Sequence, residues 1–163
     1  MSIENKIGPY SLSGLKTFRD HDGRTCFQGN ILKNGKKVAE WSEDTWGGPM
    51  MFRFDAASEQ KAFLKEANKH PIAVEYKAEM EKQLGSVTNC QAELVVSTIA
   101  AEIDLEKRQK AQIKRWCKTK IVLRHPNDKE GEYLLIKGQY DSTMDAELMK
   151  RYPGVEIINK KFA

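Results

Sequence analysis

Polar and apolar residues alternate over the first third of the chain, with the period of two that is typical of β-strands with one buried face. The alternation predicts strands over residues 11–19, 25–32 and 37–41, and a further strand in the segment MMFRFD. Asn34 and Gly35 separate the second and third runs, and both residue types can adopt the positive φ of a tight hairpin turn. The sequence therefore predicts an N-terminal four-stranded antiparallel meander.

The spacing of apolar residues changes to that of helices in the middle of the chain. It predicts helices over residues 56–69, 72–84 and 88–118. Asp55 is the expected N-cap of the first helix, because a short polar side chain can accept a hydrogen bond from the first turn. Pro71 should end this helix, since the residue before a proline avoids the helical region.

The third predicted helix is long, at roughly 45 Å for 1.5 Å per residue. Thr88 or Asn89 would cap its start. Its apolar side carries, near helical spacing, Val95, Val96, Ile99 and Ile103. A helix of this length extends beyond a small domain, so we expect a possible homo-oligomer that forms through this helix.

The last part of the chain returns to strands. Residues 120–124 and 133–137 flank a polar turn, as in a β-hairpin. A short helix capped by Thr143 and a closing strand over residues 155–158 follow. Together the elements predict an α+β fold with an N-terminal meander, central helices and a C-terminal β-hairpin–helix–strand.

The composition is that of an ordinary globular protein. With 163 residues, 40% hydrophobic and 31% charged, the chain suits one domain over residues 1–163, in which residues 1–9 form a flexible tail. The longest apolar run, residues 94–101, falls short of the ~20 residues that cross a bilayer. The start of the chain lacks the apolar segment of a secretory signal. We therefore expect no membrane partner.

The chain contains three cysteines, Cys26, Cys90 and Cys117, which are widely spaced and form no C-x-x-C pattern. Such cysteines are more often small buried residues or free thiols than metal ligands. Free thiols are typical of a reducing compartment, which predicts a cytoplasmic protein.

Positive charge is concentrated in one segment. The net charge is +4, and residues 107–124 hold eight Lys or Arg and no acidic residue. Helical spacing gives a stripe of lysines, namely Lys107, Lys110, Lys114 and Lys118. Two interpretations stay open. The stripe is either a solvated face near a helix C-terminus, or a surface for an anionic partner with Trp116 as a stacking face.

Three segments of the chain are distinctive: GLKTFRDHDGRTCFQGNILKNGKKVAEW, GGPMMFRF and KTKIVLRHPNDKEGEYLLIKGQYDSTMDAELMKRYPGVEIINK. They resemble segments of a group of small accessory proteins encoded by bacteriophages and prophages. The shared features are a GLKTFR strand, an NGKK-type hairpin, a Gly-Gly step and a closing strand–helix–strand. The middle helices, residues 59–114, have no counterpart. The resemblance implies a phage-type accessory protein, and proteins of that kind often bind a host or defence component.

Two short segments are candidates for chemistry. In TWGGP, Trp46, Gly47 and Gly48 form either a turn or a loop whose backbone approaches a ligand while the indole stacks on it. In DHDG, residues 20–23, two carboxylates flank a histidine, but a metal needs three or four converging ligands, so we expect a hairpin turn. We expect no catalytic residue, metal site or cofactor.

These observations predict a non-enzymatic phage-type binding protein that inhibits or modulates a host or anti-phage defence protein by occlusion, in the host cytoplasm. The predicted contact residues are Trp46, Gly47, Gly48, Lys107, Lys110, Lys114, Arg115, Trp116 and Lys118. The alternative is a nucleic-acid-binding accessory protein that uses the basic segment 107–124 on the phosphates of a nucleic acid or an anionic nucleotide.

Overall fold

The computed structural model of the protein describes residues 5–84, 91–129 and 131–162. Contacts divide the chain into two compact units, unit 1 over Met1–Asp104 and unit 2 over Leu105–Ala163. Each unit combines helices with an antiparallel sheet, which confirms the predicted α+β class. That residues 1–163 form one folding domain stays a prediction.

Unit 1 is built on an antiparallel sheet, whose strands in the described residues follow one another in chain order. These strands are β1 (Lys6–Ile7), β2 (Tyr10–Arg19), β3 (Thr25–Lys33), β4 (Lys36–Ser42) and β5 (Met51–Phe54). Strands β2 to β5 confirm the predicted meander. Strand β1 was not predicted, because two residues are too few to show an alternation of polar and apolar side chains.

The flexible tail expected over residues 1–9 is wrong for its second half. Lys6 and Ile7 pair with β2, and Ile7 is buried in the core of unit 1 because its aliphatic side chain completes the edge of the sheet. Residues 1–4 lie outside the described residues.

The hairpin between β3 and β4 turns at Asn34 and Gly35, whose φ values of 49° and 83° are positive, as predicted. The resulting register places Gly29 opposite Trp41. A Cβ at Gly29 would lie 2.9 Å from the carbonyl oxygen of Ser13 and 3.2 Å from Trp41 Nε1, so glycine makes room for the buried indole.

Three helices in the described residues follow the sheet: α1 (Ala57–Ala67), α2 (Pro71–Leu84) and α3 (Ala92–Cys117). Asp55 is not the cap of α1, because its N–H still donates to the carbonyl of Val38 and continues the pairing with β4. Ala56 takes the N-cap position without a side-chain hydrogen bond. Among the residues that the structure describes, no helix is long and apolar enough to cross a membrane.

α1 ends at Ala67, before the predicted position 69 and four residues before Pro71, so Pro71 does not end this helix but starts α2. Proline suits the first position of a helix, because its missing N–H has no partner there. His70 precedes it, is 5% exposed, and accepts a hydrogen bond of 3.3 Å on Nδ1 from the N–H of Ile72. The histidine therefore caps the first turn of α2.

The core of unit 1 contains side chains from the sheet and from its helices. Val95, Val96 and Ile99 of α3 are 0% exposed, and Ile103 packs against the same cluster. These are the residues on which self-association was predicted, and they are buried within the protein's own core. These four residues therefore offer no free apolar face, and self-association through the helix stays a prediction. Its predicted cap, Thr88 or Asn89, lies outside the described residues.

Unit 2 contains the second part of α3 and a small antiparallel sheet. Its elements are β6 (Lys120–Arg124), β7 (Leu134–Lys137), α4 (Asp145–Arg151) and β8 (Glu156–Ile157), with β6 between β7 and β8. The buried residues form two clusters around β6: Ile121, Leu123, Leu148 and Ile157 in one, and Ile113, Val122 and Ile158 in the other.

Two details of unit 2 differ from the prediction. Asp141, rather than Thr143, caps the turn before α4, since its carboxylate accepts a hydrogen bond of 2.8 Å from the N–H of Thr143. The closing strand is shorter than residues 155–158, because the chain turns into a 3₁₀ helix at Ile158–Lys161. This turn buries Asn159, whose side chain bonds to the backbone of neighbouring elements.

Candidate functional site

The connection between β4 and β5 exposes a large aromatic side chain. Trp46 is 78% exposed, the highest value among the exposed large hydrophobic residues that the structure describes. We refer to residues 44–48 as the Trp46 loop. Tryptophan is enriched at the centres of protein interfaces, so an indole as exposed as this one is a candidate contact residue.

The Trp46 loop is held by its own hydrogen bonds. The carboxylate of Asp44 accepts from the N–H of Gly48 at 2.8 Å and from the N–H of Trp46 at 3.3 Å. Gly47 has a φ of 79°, which favours glycine, and a Cβ at Gly48 would lie 2.2 Å from Asp44 Oδ2. Both glycines are therefore required by the turn, and the turn projects the indole outward.

His21 supports the indole from the neighbouring β2–β3 turn. The two rings stack with centroids 4.6 Å apart and an interplanar angle of 24°. Nδ1 of His21 lies 2.9 Å from the carbonyl oxygen of Thr45, and Nε2 lies 3.1 Å from a carboxylate oxygen of Asp22. Both ring nitrogens thus face acceptors, so the imidazolium form can donate to both at once.

The two candidate segments of the sequence, DHDG and TWGGP, therefore form one surface. The sequence contained a signal for this arrangement that was not used. In an antiparallel meander, alternate connections lie at the same end of the sheet, so the β2–β3 turn and the β4–β5 connection are neighbours. His21 was considered as a metal ligand, whereas its position next to Trp46 was missed.

Asp20 builds the turn that carries His21. Its Oδ1 accepts from the N–H groups of Asp22 and Arg24 at 3.0 and 2.7 Å, and its Oδ2 accepts from Arg24 Nε at 3.0 Å. Burial alone would raise the pKa of Asp20, but these hydrogen bonds outweigh it and lower the pKa. The predicted hairpin turn is confirmed. In the described ranges, no group of three or more His, Cys, Asp or Glu could hold a metal ion.

A small cavity of about 190 Å³ borders the Trp46 loop. Glu93 forms part of its wall, and its carboxylate accepts a hydrogen bond of 3.1 Å from the N–H of Met50. The other lining residues include Arg24, Asp44, Gly47 and Gly48. The indole is thus an exposed feature beside a mostly polar depression.

The sheet surface of unit 1 also has a broader polar depression, which the sequence analysis did not identify. Its volume is about 380 Å³, and its polar lining residues are Lys16, Gln28, Asn30, Glu40, Ser42 and Arg53. A hydrogen bond from Lys37, which also attracts the carboxylate by charge, lowers the pKa of Glu40. Two cations and one anion line this surface, so its charge is mixed, with a small positive excess.

The predicted basic stripe lies in unit 2 and is open to solvent. The four lysines of the stripe and the adjacent Arg115 are exposed: Lys107, Lys110, Lys114, Arg115 and Lys118. Lys110 lies 3.8 Å from Glu106, one helical turn away. Among the described residues, no carboxylate lies within 4.0 Å of the other four side-chain nitrogens.

Trp116 is less exposed than the stacking face that was expected of it. Its ring is half-buried and meets the ring of Tyr133 edge to face, with centroids 6.3 Å apart. Both rings pack against the cluster of Val122 in unit 2, because the apolar side of this helical turn faces β6 and β7. The ring is therefore only partly accessible, and a contact of Trp116 with a partner stays a prediction.

Comparison with protein-family models, with curated proteins and with solved structures gave no match. The resemblance to phage accessory proteins accordingly stays a hypothesis. What the protein does must be argued from its own surfaces.

Proposed function

We propose that this protein acts by binding another protein through the Trp46 loop and by blocking the surface that it covers. The observation that carries the proposal is the 78% exposed indole on a loop whose backbone is already ordered. The phage-type resemblance suggests that the partner is a host or defence component in the bacterial cytoplasm. The proposed action is non-enzymatic.

The energetic argument rests on the apolar area of the indole. Burying on the order of 150 Å² at about 25 cal/mol/Å² would contribute roughly 4 kcal/mol before the costs of association. Part of those costs is the ordering of flexible contact residues. Asp44 and His21 already hold the loop and one face of the ring, so less ordering is left to the binding step.

The geometry also indicates what the partner must offer. One face of the indole is covered by His21, while its other face and edge stay exposed. A partner with an apolar pocket and a hydrogen-bond acceptor for the indole N–H would match it. The polar depression beside Gly47 and Gly48 would then form the rim of the interface.

The experiment is site-specific crosslinking followed by affinity measurement. A photo-crosslinking amino acid replaces Trp46 or, as the control, Tyr76, another exposed aromatic residue of unit 1. Both proteins are exposed to a nuclease-treated bacterial lysate, and the captured partner is purified. We then expect Trp46→Ala to weaken binding to it by about 30-fold, as for an interface hot spot. Tyr76→Ala should change it less than about threefold.

Two results would reject the proposal. One is equal capture from positions 46 and 76, which would indicate non-specific crosslinking. The other is an affinity of Trp46→Ala within about threefold of wild type while its thermal unfolding is unchanged. In that case another surface carries the interaction.

A second candidate function is nucleic-acid binding by unit 2. It is favoured by the exposed cations Lys107, Lys114, Arg115 and Lys118, which have no carboxylate partner among the described residues. Each phosphate that such a surface neutralises adds close to one unit to the salt dependence of binding. This candidate would be supported over the first if the affinity of wild type for nucleic acid fell steeply with salt, and if replacing these cations removed that dependence.

A further inference from the structure

Unit 2 has a cavity at the end of α3 that brings together basic and aromatic side chains. Its volume is about 230 Å³, and its lining includes Lys114 and Lys118 from the basic stripe. Gln139 and Tyr140 come from the segment after β7, and Phe162 from the C-terminal segment. All of these residues belong to the same compact unit.

The lysines give the cavity an unbalanced positive charge. Lys114 and Lys118 lie one helical turn apart, and within the described residues neither has a carboxylate within 4.0 Å. The nearby carboxylate of Asp145 is already engaged, since it pairs with Lys160 and accepts a hydrogen bond from Tyr140. Among the residues that the structure describes, the cavity thus lacks an internal counter-ion for its two ammonium groups.

A helix C-terminus normally disfavours an anion, because its free carbonyl groups carry partial negative charge. Here three of these carbonyls are engaged. Those of Arg115 and Trp116 accept from the N–H groups of Lys118 and Thr119 at 3.3 and 3.0 Å. The carbonyl of Cys117 accepts from Asn159 Nδ2 at 3.2 Å. This capping reduces the repulsion that an anion beside Lys114 and Lys118 would meet.

The rest of the lining suits a planar aromatic group. Phe162 is 39% exposed and Tyr140 is half-buried, so a ring surface is open at the cavity. The exposed amide of Gln139 can both donate and accept hydrogen bonds, as the edge of a nucleobase requires. Asn159 is not available for this role, because its side chain already bonds to three backbone groups.

We infer that this cavity binds a nucleoside phosphate unit, with its phosphate held by Lys114 and Lys118 and its base against the rings of Phe162 and Tyr140. The cavity is smaller than the roughly 300–1,000 Å³ of pockets that enclose a whole drug-sized ligand, so it suits one unit of a single strand or a mononucleotide. The inference deepens the second candidate function and does not depend on the Trp46 loop.

The test measures binding of a fluorescent oligothymidylate of roughly ten nucleotides by anisotropy, beside an abasic strand of equal length. The charge variant is Lys114→Glu with Lys118→Glu. Its matched control is Lys107→Glu with Lys110→Glu, which changes the net charge of the same helix equally but lies outside the cavity lining. A third variant, Phe162→Ala, removes the exposed ring.

We expect wild type to bind the oligothymidylate at least tenfold more tightly than the abasic strand. Phe162→Ala should lose roughly tenfold in affinity for the oligothymidylate and little for the abasic strand. The cavity charge variant should lose at least tenfold more affinity than its matched control. Thymidine monophosphate serves as a competitor, and its potency relative to the strand distinguishes a free nucleotide from a nucleic acid as the source of the ligand.

Three results would overturn the inference: no binding of any probe, equal losses in the two charge variants, or equal affinity for the abasic strand. Circular dichroism checks that each variant is folded. We expect folding to be unchanged, because the substituted side chains are exposed. Trp46→Ala should leave nucleotide binding unchanged. Failure of this site and failure of the Trp46 loop are therefore separate outcomes.

Discussion

The imidazole of His21 stacks on the indole of Trp46, with ring centroids 4.6 Å apart and an angle of 24° between the planes. The residues come from different connections of the sheet, and the contact joins the β2–β3 turn to the β4–β5 connection. His21 also reaches the carbonyl of Thr45, within the Trp46 loop itself. The imidazole thus covers one face of the exposed indole and is itself held by a hydrogen bond to the backbone of the Trp46 loop.

The first prediction concerns this stack. His21→Ala should leave Trp46 without its support, so we expect faster backbone motion at residues 45–47 and a shifted indole N–H resonance. The free energy of unfolding should fall by no more than about 1.5 kcal/mol, since a stacked aromatic pair contributes roughly 0.5–1.5 kcal/mol. Nitrogen-15 relaxation measures the motion. His125→Ala, at an exposed histidine of unit 2, is the control, and equal loop motion in both variants would contradict the prediction.

A second relationship, between Tyr10 and Glu59, ties the sheet to α1. The phenol of Tyr10 donates to Glu59 Oε1 at 2.5 Å, and Lys33 Nζ donates to the same oxygen at 2.8 Å. The pKa of Glu59 is lowered by the hydrogen bond from Lys33 and then by that from Tyr10. The pKa of Tyr10 is raised by burial and then by its bond to Glu59.

The second prediction follows from the sign of these shifts. A lowered pKa of Glu59 gives stability that is present above its usual 4.5 and is lost as the pH falls further, through the folded pKa. A raised pKa of Tyr10 gives stability that is present below its usual 10.0 and is lost as the pH rises toward the folded value. The free energy of unfolding should therefore decline at both ends of the pH range.

Urea unfolding as a function of pH measures this profile. Tyr10→Phe should flatten the alkaline decline, and Glu59→Gln should flatten the acidic one. Tyr76→Phe, at an exposed tyrosine, should leave the profile unchanged. Part of the alkaline decline should remain in Tyr10→Phe, because burial and a hydrogen bond to Asp145 also raise the pKa of Tyr140. An alkaline decline as steep in Tyr10→Phe as in wild type would contradict the prediction.

The strands of unit 1 could be predicted because their signals are local. Alternation over β2, β3 and β4 and the Asn34-Gly35 turn each lie within a few residues, and the structure shows them at nearly the predicted bounds. β1 has no such signal, since two residues cannot show a period. The two predicted N-caps were wrong because contacts with other residues decide where the helices start. Asp55 still pairs with β4, so α1 starts after it. Asp141, and not Thr143, caps the turn before α4.

The candidate sites were predicted only in part. Trp46, Gly47 and Gly48 were identified from residue type, yet exposure of the indole depends on how the turn is held by Asp44. The basic stripe was also identified, but the residues that join Lys114 and Lys118 at the cavity lie more than twenty positions further along the chain. No spacing rule connects such segments, because only the packing of unit 2 brings them together.

The apolar side of α3 shows a limit of helical periodicity. Spacing indicates that Val95, Val96 and Ile99 face a partner, but it does not tell whether that partner is the same chain or another copy. The third prediction uses Ile99, which is 0% exposed. Ile99→Ala should lower the free energy of unfolding of unit 1 by about 2–5 kcal/mol, because it opens a cavity in the core.

Light scattering before and after the substitution separates this effect from assembly. The molar mass should not change in Ile99→Ala, because the side chain makes its contacts within the chain. Leu105→Ala is the control on the same helix, with a side chain that is 49% exposed, and should change stability by less than about 0.5 kcal/mol. A lower molar mass in Ile99→Ala would restore the self-association hypothesis.

The fourth prediction concerns Asn159, a 3% exposed residue of unit 2 that the sequence did not single out. Its Oδ1 accepts from the N–H of Val122 at 2.7 Å, and its Nδ2 donates to the carbonyls of Lys120 and Cys117 at 2.8 and 3.2 Å. Asn159→Ala should lower the free energy of unfolding by about 2–4 kcal/mol in urea titrations, because unpaired buried polar groups each cost roughly 1–3 kcal/mol.

Asn159→Asp should not restore this stability at neutral pH, since a carboxylate would face two carbonyls. Asn127→Ala, at an exposed position, should be nearly neutral, and a similarly small effect at position 159 would show that water replaces the amide.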